Sequence, residues 1–266
     1  MRFLIDHDLH IHSQLSSCSR DPEQTNERIL QYARENGLRT ICLTDHYWDS
    51  EVEGASKWYA PQDFDHIAKA KPLPQCEGVS FLFGCETDLD RHLTLGMPLS
   101  RFDDFDFVIV PTTHLHMTGF TISEEDAASN ERRAALWVER LEALLAMPLP
   151  FEKVGIAHLV CGLLNKVSRE DYLDVLGRIP SEDMERLFEK AARLGCGIEL
   201  NMSDMAFREG EDDIVLRPFR IAKDCGCKFY LGSDAHHPAA FARAGEIFER
   251  AITLLDLKES DKFTVC

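Results

Sequence analysis

The sequence lacks any apolar run that approaches membrane-spanning length, and it contains no internal repeat, linker or low-complexity tract. Its opening residues, Met-Arg-Phe-Leu-Ile-Asp, become polar too soon for a secretory signal peptide. These absences argue against a membrane-spanning protein and against a repeat protein. We therefore expect a single domain over residues 1–266.

Positive charge is also scarce. The chain has 29 lysines and arginines against 46 acidic residues, a formal net charge of −17. Such a balance argues against broad electrostatic contact with a long nucleic acid or an anionic membrane. An anionic substrate would have to be held locally, by metal ions or by a few arginines.

Paired cysteine motifs are missing. The nine cysteines are scattered and form no C-x-x-C. An odd number of cysteines, in a chain that does not begin with a signal peptide, predicts reduced thiols and a cytoplasmic location.

Short apolar runs alternate with longer helical patterns, which predicts parallel strands joined by crossover helices. The seven predicted strands are 3–12, 39–44, 79–86, 105–111, 153–158, 196–201 and 228–233. The predicted helices are 22–36, 123–147, 169–177, 181–194, 215–225 and 239–255. Glycines at 37, 195 and 226 each stand between a helix and a strand, where a left-handed cap turns the chain back. The pattern favours one continuous α/β domain.

Residues of types that can bind metal or substrate stand at the end of every predicted strand. In the first strand, alternation places His10 and His12 on one face, with Leu9 and Ile11 turned toward the packing layer. The complete set of strand-end residues is His10, His12, Asp45, His46, Glu86, His114, His158, Asn201, Asp234 and His236. Because the carboxyl ends of barrel strands share one rim, the set predicts a polynuclear metal site at the barrel mouth.

Four segments carry a resemblance to a known family. Asp-Leu-His-Ile-His at 8–12, Leu-Thr-Asp-His at 43–46, Gly-Cys-Glu at 84–86 and Gly-Ser-Asp-Ala-His at 232–236 resemble the motifs of the PHP (polymerase and histidinol phosphatase) superfamily. They occur in family order over nearly the full length. The resemblance implies a distorted seven-stranded (β/α)7 barrel that holds two or three divalent ions.

The resemblance also implies a ligand set by position. One ion would be held by His10, His12, Glu86 and Asp234, a second by Glu86, His114 and His158, and a third by His46 and His236. Glu86, Asp234 and His236 are the candidate catalytic residues. A carboxylate that bridges two ions roughly 3.5–4 Å apart lets them share one activated water as a hydroxide. Imidazole and carboxylate ligands suit zinc, manganese or iron, and donor type does not choose among them.

Two ligand positions are open to more than one interpretation. The family often places a further histidine six residues beyond the H-x-H, where this chain has Cys18. Cys18 is either a ligand of the third ion or an ordinary buried thiol, and Asp21 is a substitute ligand. His116 has the same strand parity as His114, which we prefer by position, and His116 is then assigned to substrate or to the outer layer of the site.

We expect a metal-dependent phosphoesterase that hydrolyses a small phosphate monoester, with histidinol phosphate as one candidate. Candidate substrate-binding residues are Arg208, Arg217, His116 and His92, because a guanidinium fork matches phosphate oxygens and the two imidazoles follow ligand strands. Two competing hypotheses are a phosphodiesterase or exonuclease that acts on short nucleotides, and a non-catalytic PHP module that binds metal. The sequence leaves the oligomeric state open.

Overall fold

Seven parallel strands form a nearly closed barrel in the computed structural model, which describes residues 1–265. The residues described contain eight strands, of which all but β3 form the barrel: β1 His7–Ile11, β2 Thr40–Leu43, β3 His46–Tyr47, β4 Ser80–Thr87, β5 Phe107–Pro111, β6 Val154–Ala157, β7 Gly197–Asn201 and β8 Lys228–Gly232. The barrel order is β1-β2-β4-β5-β6-β7-β8, and the two-residue β3 pairs with the end of β4. The predicted seven-stranded α/β barrel is confirmed.

Backbone hydrogen bonds beyond the end of β8 close the barrel against β1. The Asp234 N–H donates to the His10 carbonyl at 2.7 Å, and the His12 N–H donates to the Ala235 carbonyl at 3.1 Å. The motif Gly-Ser-Asp-Ala-His therefore lies beside the H-x-H motif although more than 200 residues separate them.

Helices surround the barrel. They are α1 Asn26–Glu35, α2 Phe64–Ile67, α3 Glu124–Ala127, α4 Asn130–Ala146, α5 Arg169–Arg178, α6 Ser181–Leu194, α7 Asp212–Val215, α8 Arg217–Asp224 and α9 Phe241–Leu254. None of these helices combines the length and the apolar character that a membrane crossing requires.

Local hydrogen bonds divide one predicted helix. The pattern predicts a helix over 123–147, but the chain forms α3 and α4, because the side chain of Ser129 accepts a hydrogen bond from the Arg132 N–H and begins a new helix. The three predicted glycine turns are present: Gly37, Gly195 and Gly226 have φ of +67°, +83° and +84°.

The core has two layers, one inside the barrel and one between the sheet and the helices. A register shift between Asp8 and Ile11 changes which layer each apolar residue of β1 enters. Leu9 packs inside the barrel with Phe107 and Tyr230, whereas Ile11 packs in the outer layer. The prediction that Leu9 and Ile11 share one packing layer is therefore wrong.

Candidate metal centre

Eight predicted ligands converge at the carboxyl ends of the strands. We call them the donor cluster: His10, His12, His46, Glu86, His114, His158, Asp234 and His236. Glu86 lies at its centre and is fully buried. Its Oε2 is 3.0 Å from His46 Nδ1 and 3.2 Å from His12 Nε2. Its Oε1 is 3.7 Å from His158 Nε2 and 4.0 Å from His114 Nε2.

Asp234 approaches several of the same imidazoles. Its Oδ1 lies 3.1 Å from His12 Nε2 and 3.3 Å from His10 Nε2. Its Oδ2 lies 3.4 Å from His158 Nε2. Both carboxylates thus approach the inward nitrogens of several histidines at once.

Four groups of three donors bring their ligand atoms within 4.8 Å of one another. The groups are His10, His12 and Asp234; His10, Glu86 and His158; His12, His46 and His236; and His114, His158 and Cys161. The third group adds His12 to His46 and His236. The fourth contains a buried thiol, Cys161, that the sequence analysis did not consider.

Several potential metal-ligand atoms of the donor cluster are buried and have no hydrogen-bond partner. They are both oxygens of Glu86, Oδ1 of Asp234, and Nδ1 of His46 and His158. Buried polar atoms are normally paired, because an unpaired one loses its water without compensation. His158 Nδ1 faces Asp204, whose Oδ1 is 3.9 Å away, but divalent cations would satisfy the carboxylate oxygens and His46 Nδ1. The residues present therefore fit a metal cluster.

Hydrogen bonds on the outer side of the rings determine which nitrogen faces inward. His10 Nδ1 donates to Glu199 Oε1 at 2.6 Å, and His12 Nδ1 lies 2.9 Å from the Ser16 hydroxyl. That hydroxyl in turn donates to Asp45 Oδ1 at 2.7 Å. With Nδ1 protonated, each Nε2 carries the lone pair that a metal needs.

Two further histidines follow the same rule. His114 Nδ1 donates to Asp88 Oδ2 at 2.9 Å, and Arg140, fully buried, donates to the other oxygen of Asp88 at 3.1 Å. His236 Nδ1 donates to the Asp234 carbonyl at 2.8 Å. The Nε2 atoms of both rings are therefore left as acceptors.

Glu199 is a site residue that the sequence analysis did not assign. Its Oε2 accepts a hydrogen bond from the His158 N–H at 2.8 Å, so one carboxylate positions two members of the donor cluster. A Cβ at Gly232 would collide with Glu199 Oε1 and lie 2.7 Å from the Cβ of His10, so the motif glycine makes this contact possible. The sequence did contain a signal for this role: Glu199 is an acidic residue on a buried strand, two positions before Asn201 and so on the same face.

Charges within the cluster keep its two carboxylates ionised. Burial alone would raise the pKa of Glu86, but the imidazoles of His46 and His10 outweigh it and hold the pKa well below its usual value. Asp234 behaves in the same way, with burial opposed by His10, His236 and His158. Both carboxylates are thus in the form that binds cations.

Two members of the donor cluster have a strained backbone conformation. His158, directly after β6, has φ of +52°, and Asp234, after β8, has φ of +53°. Residues other than glycine adopt this region at a cost of about 1–3 kcal/mol each, and such strain concentrates at functional sites. The hydrogen bonds from the His158 N–H to Glu199 and from the Asp234 N–H to His10 hold these conformations.

A cavity of about 750 Å³ opens onto the donor cluster. Outside the cluster its lining residues are Cys18, Trp58, Tyr59, His116, Met117, Cys161, Gly162, Leu163 and Ser203. His116, a predicted substrate-binding residue, therefore faces this cavity. Burial and the neighbouring His114 lower its pKa to about 4, so its imidazole is neutral at neutral pH.

The remaining candidate ligands lie outside the donor groups. Cys18 lines the cavity, but among residues 1–265 it joins none of the four groups. Asp21 instead pairs with His237 at 2.7 Å. Asp45, a strand-end candidate, accepts hydrogen bonds from Ser13 and Ser16, and so supports the ligands from outside.

Three predicted substrate-binding residues, Arg208, Arg217 and His92, are not among the residues that line the cavity. Arg217 donates from its guanidinium to the carbonyls of Leu176 and Ile179, at the C-terminal end of α5 in the outer layer. Arg208 and His92 are exposed on loops. The direction of these side chains depends on loop paths that spacing does not reveal.

Comparisons with known proteins agree with this geometry. The PHP domain family model matches residues 8–203. A probable phosphatase of Thermoanaerobacter sp. (strain X514) is 27% identical over 219 residues, which cover 78% of this chain and 72% of the relative. A probable phosphatase of Aliivibrio fischeri (strain MJ11) is 26% identical over 237 residues, 86% of this chain and 77% of the relative.

Among solved structures, histidinol phosphate phosphatase from Lactococcus lactis subsp. lactis, in complex with zinc, L-histidinol and phosphate, aligns with a TM-score of 0.55 at 18% identity. The alignment covers 92% of this chain and 93% of that one, so the two proteins share the whole barrel fold. Because the family model matches well over half of the chain, this protein belongs to the PHP domain family.

Proposed function

We propose that this protein is a metal-dependent phosphoesterase that hydrolyses a small phosphate monoester. The observation that carries the proposal is the buried, ionised Glu86, whose two oxygens have no hydrogen-bond partner and face inward imidazole nitrogens on both sides. The phosphatase names of the relatives support the reaction class. The cavity volume is in the range of small-molecule sites.

The proposed ligands divide the donor cluster between two or three ions. His10, His12 and Asp234 would hold one ion, and His114 and His158 would hold a second, with Glu86 between them. His46, His236 and His12 would hold a third. Mixed imidazole and carboxylate donors suit zinc, manganese or iron.

When bound, divalent cations lower the pKa of water toward neutrality and neutralise charge on phosphoryl oxygens. The chain's own contribution is to hold the donors in place: Glu199 orients His10, and Asp45 acts through Ser16 on His12. His236 uses its Nδ1–H on the Asp234 carbonyl, so its Nε2 faces the cavity as a ligand or proton acceptor.

The test is phosphate release by protein that has been stripped of metal and then loaded with Zn²⁺, Mn²⁺ or Fe²⁺. The substrates are a panel of monoesters that includes histidinol phosphate, together with bis(4-nitrophenyl) phosphate. We expect release from monoesters and a loss of about 1,000-fold or more in Glu86→Gln, because that carboxylate contacts both sides of the donor cluster. Glu77→Gln, an exposed change before the same strand, is the matched control.

Two outcomes would contradict the proposal. Absence of phosphate release from every ester with all three metals would overturn it. Faster hydrolysis of bis(4-nitrophenyl) phosphate than of every monoester would replace it with a phosphodiesterase function.

A further inference from the structure

The outer wall of the cavity differs in character from the donor cluster. Three of its residues, Trp58, Met117 and Leu163, are half-buried apolar side chains on loops that follow β3, β5 and β6. Among residues 1–265, no lysine or arginine lines the cavity, and Glu86 and Asp234 are the only lining carboxylates. A bound molecule therefore meets both the ionic groups of the donor cluster and an apolar wall.

Trp58 is the largest element of this wall, and its neighbours fix its position. Its ring meets the edge of His46 at a centroid distance of 4.8 Å and an angle of 70°. On another side it packs against Tyr59 at 4.7 Å. Tyr59 is fully buried and its hydroxyl lies 3.4 Å from Asp88 Oδ2. The indole thus borders the donor cluster directly.

The loop that carries Trp58 is hydrogen-bonded to the loop that follows β1. Gln62 donates from its side chain to the Trp58 carbonyl at 3.1 Å and accepts from the Ser17 N–H at 2.8 Å. Met117 and Trp58 also pack against the same small apolar cluster of Trp48, Tyr59 and Phe120. The wall therefore packs on a buried apolar cluster and is hydrogen-bonded to a neighbouring loop.

We infer that the alcohol released from the phosphate ester is neutral and largely apolar, with a flat group that packs on Trp58 and faces Met117 and Leu163. This inference rests on the proposed phosphomonoesterase function. A cationic alcohol would lose water against the wall without a carboxylate partner, since Glu86 and Asp234 belong to the donor cluster. A second phosphate would find no basic side chain.

The consequence for substrate choice is specific. Histidinol phosphate carries an ammonium group on its leaving alcohol, so we expect it to be a poor substrate. Esters of arylalkyl alcohols combine the same phosphate and a primary alkoxide with an apolar ring, so they should be preferred.

Binding provides the first test, without hydrolysis. Titration of zinc-loaded protein with 2-phenylethylphosphonate and 2-aminoethylphosphonate compares an apolar and a cationic group on the same phosphonate. We expect the phenyl compound to bind about tenfold or more tightly, the scale of one buried apolar group. Trp58→Ala should reduce that ratio and Trp58→Phe should largely retain it. Equal binding of the two phosphonates, or tighter binding of the aminoethyl compound, would overturn the inference.

Hydrolysis provides the second test and separates the two proposals. The substrates are 2-phenylethyl phosphate, glycerol 1-phosphate and histidinol phosphate, all esters of primary alcohols. We expect kcat/KM to be highest for the phenylethyl ester, and Leu163→Asp, a change at a half-buried position, to shift the preference toward histidinol phosphate by about tenfold. Hydrolysis without this preference would overturn the inference alone. Preferred binding of the phenyl phosphonate without any hydrolysis would overturn the phosphomonoesterase proposal and leave the apolar pocket established.

Discussion

At the scale of single residues, the hydrogen bond from His10 Nδ1 to Glu199 should control how tightly the donor cluster binds metal. We predict that Glu199→Gln weakens zinc affinity about 10- to 100-fold, because the neutral amide no longer fixes the Nδ1–H form of His10. Metal content after dialysis against buffered zinc measures the change. Glu209→Gln, an exposed change on the following loop, is the control. Unchanged zinc affinity in Glu199→Gln would show that His10 does not depend on this contact.

A second residue-scale prediction concerns His7, a buried histidine outside the donor cluster. Its Nδ1–H donates to Asp6 Oδ1 at 3.1 Å and its Nε2 accepts from the Leu231 N–H at 3.0 Å, so the neutral ring is the one that fits. Burial lowers its pKa below the ordinary 6.5. Its contribution to stability is therefore present above the unfolded-state value and is lost as the pH falls from there toward the folded-state value.

The measurement is the free energy of unfolding in urea at about pH 7.5 and about pH 5.5. We predict a smaller loss of stability on acidification in His7→Gln than in the wild type, because the amide can accept from Leu231 but does not titrate. His92→Gln, a change at an exposed imidazole, should keep the wild-type pH dependence. An equal loss in His7→Gln and the wild type would refute this role for His7.

The members of the donor cluster were predictable from the sequence, whereas the residues that support them were not. Glu86, His158 and Asp234 each lie at or just after the end of a strand, and strand ends meet at one rim whatever the loops do. The role of Glu199 depends on a contact across the barrel to His10, and that of Arg217 on the path of a helix end. Neither can be obtained from spacing along the chain.

At the scale of elements, helix ends were predictable because a few local contacts determine them. The left-handed turn at Gly195 ends α6, and a Cβ there would meet no atom within 4 Å. Gly195→Ala should therefore lower the free energy of unfolding by about 1–2 kcal/mol through backbone strain alone. Urea unfolding measures this change.

The matched control is Gly245, an exposed glycine inside α9 where an added Cβ would also meet no atom within 4 Å. Its backbone is helical, so Gly245→Ala should instead raise the free energy of unfolding by about 0.5–1 kcal/mol. The same substitution thus has opposite signs at the two positions. A destabilisation of equal size at both would mean that φ does not explain the effect.

Other features of the elements could not be predicted, because they depend on competing local bonds. The strand pattern of β1 contains no signal for the register shift between Asp8 and Ile11. The break between α3 and α4 depends on the Ser129 side chain, which a periodic apolar pattern does not register. Periodicity identifies that an element exists, and side-chain bonds decide where it bends or ends.

At the scale of the whole molecule, the two ends of the barrel have different tasks. The donor cluster occupies the carboxyl ends of the strands, whereas a segment near the end of the described chain packs at the opposite end. There the Phe263 N–H donates to the Phe229 carbonyl at 2.8 Å, near the start of β8. The centroid of the Phe263 ring lies 5.7 Å from that of Phe107 and 6.1 Å from that of Tyr230, inside the barrel.

This separation predicts that stability and metal binding can be changed independently. Phe263 is only 6% exposed. We expect Phe263→Ala to lower the free energy of unfolding by about 3–5 kcal/mol, because the barrel interior cannot collapse into the cavity that the missing ring leaves. Zinc affinity of the folded variant should remain within about twofold of the wild type, since no donor contacts this ring. Leu254→Ala, at a 41% exposed residue, should change neither quantity appreciably. A large loss of zinc affinity in Phe263→Ala would show that the end of the barrel opposite the donor cluster supports the geometry of the metal centre.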